Sequence, residues 1–194
     1  MKRLVIAIDC DDVLVQTTPF LVNSYNRIYG TNATLAQSCD PAYDIWQADE
    51  DLQMERWGKL IELEGYKDLS PDSREAHILR MLAREHELHL VTARNEHERE
   101  FTQSMLNREL EGVFTSMEFT GWQGSKGDVC ESIRADVLID DGFRHLASAY
   151  DCGISDLIWF GNYPWQTEDS KDIPVRRCCD WREVEREIER IASR

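Results

Sequence analysis

The sequence predicts an α/β protein: a doubly wound, Rossmann-like parallel sheet with a small helical cap inserted after the first strand. Three observations lead there. Short continuous runs of branched apolar residues recur along the 194-residue chain, and such runs mark strands buried on both faces of a parallel sheet. Amphipathic stretches at helical spacing separate them, the alternation that builds βαβ units. The alternation is broken once, between the first and second strands, by a stretch with two helical patterns of its own.

The first strand is residues 4–8, Leu-Val-Ile-Ala-Ile, and it stops at Asp9. Residues 16–72 then form the cap, and residues 1–15 with 73–194 form the core domain. In the cap, Thr18-Pro19 opens a helix with Phe20, Leu21, Tyr25, Ile28 and Tyr29 on one face, and Gly30 ends it. Asp49 opens a second helix with Leu52, Trp57, Leu60, Ile61 and Leu63, and Gly65 ends that one. The loop between them carries Tyr43-Asp44-Ile45-Trp46. Beyond the cap the order is helix 73–85, strand 86–91, helix 96–110, strand 116–119, helix 126–134, strand 137–139, helix 143–150, strand 157–160, a weaker strand 174–178 and helix 181–193. An insertion directly after the first strand lies over the carboxyl edge of the sheet, where ligands bind in open α/β folds, so it reads as a lid.

Composition narrows the function. With 22 Lys+Arg against 37 Asp+Glu the net charge is −15, which argues against a nucleic-acid polymer as partner, because such binding rests on a basic face. Met1-Lys2-Arg3 and the short apolar run behind it are too brief for a signal peptide, and no run reaches the roughly 18 residues needed to span a bilayer. The expectation is a cytoplasmic protein with no membrane partner. Cys10, Cys39, Cys130, Cys152, Cys178 and Cys179 show neither scaffold-like pairing nor a C-x-x-C knuckle, and read as reduced thiols. His77, His86, His89, His97 and His145 form no zinc-type spacing and read individually as surface or helix-face residues.

The chemistry sits at strand ends. Asp9-Cys10-Asp11-Asp12-Val13 follows the first strand, and carboxylates this close in a partly dry cleft repel one another unless they share a cation. Mg²⁺ suits them, as a hard ion that takes one or two carboxylates together with substrate phosphate. Thr92 follows the second strand, Lys126 starts a helix soon after the third, and Asp140-Asp141 closes the fourth. In a parallel sheet these ends share one edge. A hydroxyl, an ammonium and two further carboxylates would converge there on the first cluster, a group suited to phosphoryl transfer.

On these residues the chain resembles the haloacid dehalogenase superfamily of phosphatases. The apolar strand with Asp9-x-Asp11-x-Val13, then Thr92, Lys126 and Asp140-Asp141, match its four motifs in order across the whole core. The resemblance implies Asp9 as a nucleophile forming an aspartyl-phosphate and a metal ligand, and Asp11 as general acid/base whose backbone carbonyl also meets Mg²⁺. It implies Thr92 and Lys126 on the phosphoryl group, Asp140 as a metal ligand and Asp141 in support. Within the superfamily the chain is similar to the 5′(3′)-deoxyribonucleotidase-like branch, through its short helical lid, Tyr43 to Trp46, the Thr92-Ala93-Arg94 turn and the Ile139-Asp140-Asp141 ending. That similarity implies a small-molecule phosphate ester as substrate, a nucleoside monophosphate in particular. Ala93, Arg94, Tyr43 and Trp46 would then join Thr92 and Lys126 around it. Asp12 departs from the human-type enzymes of the branch, which carry Gly there.

Two rivals fit less well. A phospho-accepting receiver switch also uses clustered Asp, Thr and Lys, but its acceptor Asp sits on a middle strand ahead of the Thr and Lys, and it has no inserted lid. Gly121-x-x-Gly124-Ser125-Lys126 lacks the spacing of a nucleotide-binding glycine loop.

Overall fold

Residues 1–38, 49–167 and 172–194 are described in the computed structural model of the chain. Val5–Ile8 (β1), Glu87–Thr92 (β2), Ser116–Phe119 (β3), Val137–Asp140 (β4), Asp156–Phe160 (β5) and Val175–Cys178 (β6) form one sheet. The strand order is β3-β2-β1-β4-β5-β6 and every pairing is parallel. All six expected strands are present, and the α/β Rossmann-like fold is as the alternation predicted.

Alternating side chains of each strand feed two cores. Ile6, Ile8, Val137, Ile139, Ile158 and Phe160 lie in a cluster with residues of Ser73–Glu85 (α5), Arg99–Leu110 (α6) and Trp181–Ala192 (α9). Ala7, Leu138, Leu157 and Trp159 join Cys130 of Lys126–Ser132 (α7) and Leu146 and Ala149 of Phe143–Asp151 (α8) on the other face. Helices therefore cover both faces, which is why the strands read as continuous apolar runs. Local signals hold the helix starts in place. Asp72 and Glu75 make a capping box on α5, Ser125 accepts from Asp128 N–H on α7, and Asp180 accepts from Arg182 and Glu183 on α9.

Between β1 and α5 the described residues form four helices: Thr17–Tyr29 (α1), Leu35–Ser38 (α2), Glu50–Ile61 (α3) and Glu64–Lys67 (α4). Leu21, Tyr25, Leu60 and Tyr66 form a small core of their own, which also touches Phe101 on α6. Here two expectations need correcting. The second helical pattern ends at Ile61, where the Glu62 N–H turns back to Gly58 and Leu60 carbonyls, and Gly65 falls inside the next short helix. A Cβ on Gly65 would stand 2.9 Å from the Phe20 ring, so the glycine serves close packing rather than helix termination. His86 and His89 are buried, not on the surface. His86 Nδ1 accepts from Leu4 N–H at 3.3 Å, and His89 Nδ1 meets Ser116 Oγ at 2.8 Å. Among the described residues Cys10, Cys130, Cys152, Cys178 and Cys179 are free thiols; Cys39 lies outside them.

Candidate active site at the sheet's switch point

Strand order reverses between β1 and β4, and two acidic residues lie there side by side. Ile8 pairs with Ile139, and Asp9 N–H extends the ladder to Ile139 O at 3.0 Å, so Asp9 and Asp140 leave the sheet as neighbours. This is the crevice in which open α/β folds bind ligands. Lys126, at the first turn of α7, reaches between them, with Nζ 2.7 Å from Asp9 Oδ1 and 2.6 Å from Asp140 Oδ2. Gly127 makes that approach possible. A Cβ there would lie 2.4 Å from Ser148 O on α8, so only glycine lets α7 sit this close. Lys126 and Asp140 are fully buried and Asp9 is 5% exposed, which rules out Lys126 as a solvated helix-start lysine.

The charges in this pocket do not balance. Asp141 stands beside Asp9 and Asp140, and oxygens of the three lie within 4.8 Å of one another, against one ammonium. Burial pushes Asp9 up to about 8, with Asp140 and Asp11 adding to the rise and Lys126 opposing it. Burial likewise raises Asp141, and the charges of Asp140 and Asp9 reinforce it. Lys126 is held above its ordinary value, because Asp140 and Asp9 outweigh the effect of its burial. A hard divalent cation with oxygen ligands fits this set, as it supplies the missing positive charge.

Asp141 is braced by β5 and the loop that follows it. Trp165 Nε1 donates to Asp141 Oδ2 at 2.7 Å, while Trp159 Nε1 and Gln166 Nε2 donate to its carbonyl at 2.8 and 3.0 Å. The Tyr163 ring stacks on Trp165 with centroids 4.3 Å apart, and its hydroxyl donates to Asp12 O at 2.7 Å. One loop thus ties the first acidic segment to the last. Asp12 has φ 58°, in the left-handed region where glycine is the easiest occupant and Asp is tolerated. Its carboxylate accepts from Thr18 N–H at 3.0 Å and from the Thr18 hydroxyl, steadying the start of α1.

Asp11 turns the other way. Arg94 grips it with Nε at 3.0 Å from Oδ2 and Nη2 at 2.7 Å from Oδ1, and the Thr17 hydroxyl donates to Oδ1 as well. Burial alone would raise Asp11, but the Arg94 charge and hydrogen bonds hold it below the usual carboxylate range. Thr92 is buried at the end of β2, with its hydroxyl accepting from Arg94 N–H at 3.2 Å. Ala93, Asp9, Asp11, Lys126 and Asp141 line a cleft of about 320 Å³ whose outer wall is Phe143, Arg144, His145 and Trp165. Burial pulls His145 down to about 4, so the wall's charge near neutral pH is that of the exposed Arg144.

Of the residues singled out in the sequence, the structure brings Asp9, Asp11, Ala93, Lys126 and Asp141 to one cleft, with Asp140 bonded beneath it to Lys126. The Arg94 guanidinium faces Asp11 and does not line that cleft. Tyr43 and Trp46 lie outside the described residues. Sequence reasoning missed Thr17, Tyr163, Trp165 and Gln166. The one available signal was an aromatic loop directly after a strand, at the edge where α/β sheets bind ligands.

No protein-family model matches the sequence, and no curated protein matches it either. Solved structures do share the fold. A haloacid dehalogenase-like hydrolase of Streptococcus pneumoniae superposes with TM-score 0.72 at 12% identity, over 96% of this chain and 98% of that one. A haloacid dehalogenase-like protein of unknown function from Agrobacterium tumefaciens gives 0.71 at 14% identity, over 98% and 99%. A candidate HAD-hydrolase of Bacillus subtilis, solved bound to magnesium, gives 0.62 at 14% identity, over 97% and 99%. The chain thus has the fold of these proteins over almost its whole length.

Proposed function

We propose that this chain is a Mg²⁺-dependent phosphomonoesterase working through an aspartyl-phosphate at Asp9, with nucleoside monophosphates as its substrate class. The observation that carries the reading is the buried Lys126 ammonium bridging Asp9 and Asp140 at the switch point of the sheet. No purely structural need explains three carboxylates and one lysine at a cleft floor, since buried ion pairs contribute little net stability. Clustered titratable groups of this kind mark functional sites.

In the first half-reaction an Asp9 oxygen attacks phosphorus and the ester P–O bond breaks. Protonated Asp11 delivers a proton to the departing oxygen. In the second half, water attacks phosphorus, the bond to Asp9 breaks, and Asp11 takes the proton of that water. Inorganic phosphate leaves with Asp9 restored, and the proton on Asp11 serves the next leaving group. Arg94 favours the ionised form of Asp11 at rest, and the approach of a phosphate dianion supplies the negative charge that favours protonation. Lys126 spreads charge on the phosphoryl oxygens, and Thr92 with the backbone at Ala93 orients them. Asp9, Asp140 and Asp141, with the Asp11 carbonyl, would hold Mg²⁺, which supplies the charge neutralisation that lets a dianion approach.

Residues 16–72 act in this reading as a cap that selects the ester, with Tyr43 and Trp46 as base-side contacts. Phe143 and Trp165 on the cleft wall offer further apolar surface to a ring. The acidic chain, in which no described helix is long and apolar enough to cross a membrane, suits a small soluble substrate. A screen of phosphate esters with Mg²⁺ tests the assignment. Preference for nucleoside monophosphates supports it in full, preference for sugar phosphates retains the chemistry and rejects the substrate class, and no turnover of any ester rejects both.

A further inference from the structure

Arg94 is placed where a substrate-binding arginine would be wasted. Its side chain is 3% exposed, and every nitrogen of its guanidinium already has a partner inside the protein. Nε and Nη2 form a two-pronged pair with Asp11, and Nη1 donates to Thr102 Oγ1 on α6 at 2.9 Å. The Tyr66 ring on α4 lies with its centroid 5.1 Å from the guanidinium carbon, and the Phe101 ring on α6 lies at 5.5 Å. The planar fork fits a carboxylate in only one orientation. A phosphate could take that place only by evicting Asp11.

We propose that Arg94 is a positioning residue: it fixes the orientation of the Asp11 carboxylate and makes that orientation depend on the inserted helices being docked. The inference rests on the phosphomonoesterase reading above and deepens it. Asp11 borders the cleft with 29% of its side chain exposed, and among the described residues its carboxylate bonds only to Arg94 and Thr17. It is held from behind, by Arg94 on the core and by the hydroxyl of Thr17, the first residue of α1. Arg94 is anchored on one side by Thr102 of the core helix and covered on the other by Tyr66 of the insertion, and Tyr66 itself packs on Phe101 at 5.6 Å. Undocking the insertion would take away Tyr66 and Thr17 together. Asp11 would then lose one direct bond and its arginine the Tyr66 half of its aromatic cover in the same movement, with Phe101 of the core left in place.

The test uses kcat and KM for the alkyl phosphate that the chain turns over fastest, and KM with the first-turnover rate for dinitrophenyl phosphate, whose leaving group needs no proton. Arg94→Met should lower kcat on the alkyl ester by about 10²-fold or more, the worth of a positioned acid, with KM changed less than about 3-fold. On dinitrophenyl phosphate the first-turnover release of dinitrophenol should slow by less than about 5-fold, because that half-reaction needs no proton from Asp11. The dephosphorylation that follows, in which Asp11 takes a proton from water, should slow as it does with the alkyl ester. In an Asp11→Asn background Arg94→Met should cost nothing further, because residues acting through one another are not additive. Arg94→Lys should restore little, as an ammonium lacks the fork. Should Arg94→Met fail to fold, Thr102→Val loosens the same guanidinium; it should again leave the first-turnover release of dinitrophenol nearly unchanged, and its loss on the alkyl ester should vanish beside Asp11→Asn. A raised KM on both esters, or an undiminished loss beside Asp11→Asn, would assign Arg94 to the substrate and overturn the proposal. Absence of turnover by the unaltered chain would overturn the underlying reading instead, a result distinguishable from either.

Discussion

Replacing Lys126 by Met is the perturbation whose size can best be worked out from the structure. Methionine keeps a stem of similar length, so little cavity opens, but the ammonium between Asp9 and Asp140 is gone. What remains is a buried acidic cluster with no counter-charge. Breaking a buried ion pair by removing one partner costs about 3 to 5 kcal/mol. For a chain of this size 1 kcal/mol moves the melting temperature by about 2 to 4 °C, so Tm should fall by roughly 6 to 20 °C. The fall should be measured at pH 8 in chelator, where Asp9 and Asp141, both raised by burial, are less protonated than at pH 5. At pH 5 it should shrink, because Asp9 and Asp141 take up protons, and millimolar Mg²⁺ at pH 8 should restore about half of it, since a cation substitutes for the missing charge. Turnover should drop by about 10² to 10³-fold even with Mg²⁺ present, as expected when one stabilising donor is lost from the transition state. A Tm loss below about 3 °C that is the same at both pH values would refute the charge-balance argument.

Other outcomes follow from the same geometry. Asp9→Asn should abolish turnover while leaving Tm in chelator unchanged or higher, because it removes one of the crowded carboxylates; an activity near the parent's excludes Asp9 as nucleophile. Because folded Asp9 is raised to about 8 from an ordinary 3.8, the folded chain keeps a proton that the unfolded chain has released. The chelated protein should therefore lose stability as pH rises from about 4 to about 8, and Mg²⁺ should flatten that slope; urea midpoints across pH with and without the ion decide it. Trp165→Phe keeps the ring stacked on Tyr163 but deletes the N–H on Asp141, and calorimetry should show Mg²⁺ binding weakened by about 10-fold or more. Unchanged affinity would assign Trp165 to packing alone.

What the sequence revealed and what it hid divide along a physical line. Strands buried on both faces must be apolar throughout, so the first polar residue after each run marks the sheet edge, and Asp9, Thr92 and Asp140 could be placed without coordinates. Lys126 was readable as a helix start, and Ser125 does cap that helix, but its full burial was not readable; that depends on Gly127 meeting Ser148 across two helices. Arg94 could be placed on the right turn and still not be given its partner. Asp11 lies 83 residues away, and no local period encodes which carboxylate a guanidinium meets. His89 was hidden for a similar reason, since its burial becomes acceptable only when β3 brings Ser116 alongside. The bracing by Trp165 and Gln166 shows the same limit: an aromatic loop announces a pocket wall, while its bonds to Asp141 are set by the docking of β5 beside β4.

A nucleophilic Asp9 becomes phosphorylated during turnover, and trapping that phosphoryl-enzyme is the decisive measurement. The chain is mixed with dinitrophenyl phosphate and Mg²⁺, quenched in acid within milliseconds, digested and sequenced by mass spectrometry. The expected result is a phosphoryl group on the peptide that begins at Leu4, localised to Asp9, absent when chelator replaces Mg²⁺ and absent from Asp9→Asn. Steady turnover of the ester with no adduct on Asp9, and with Asp9→Asn still active, would contradict it.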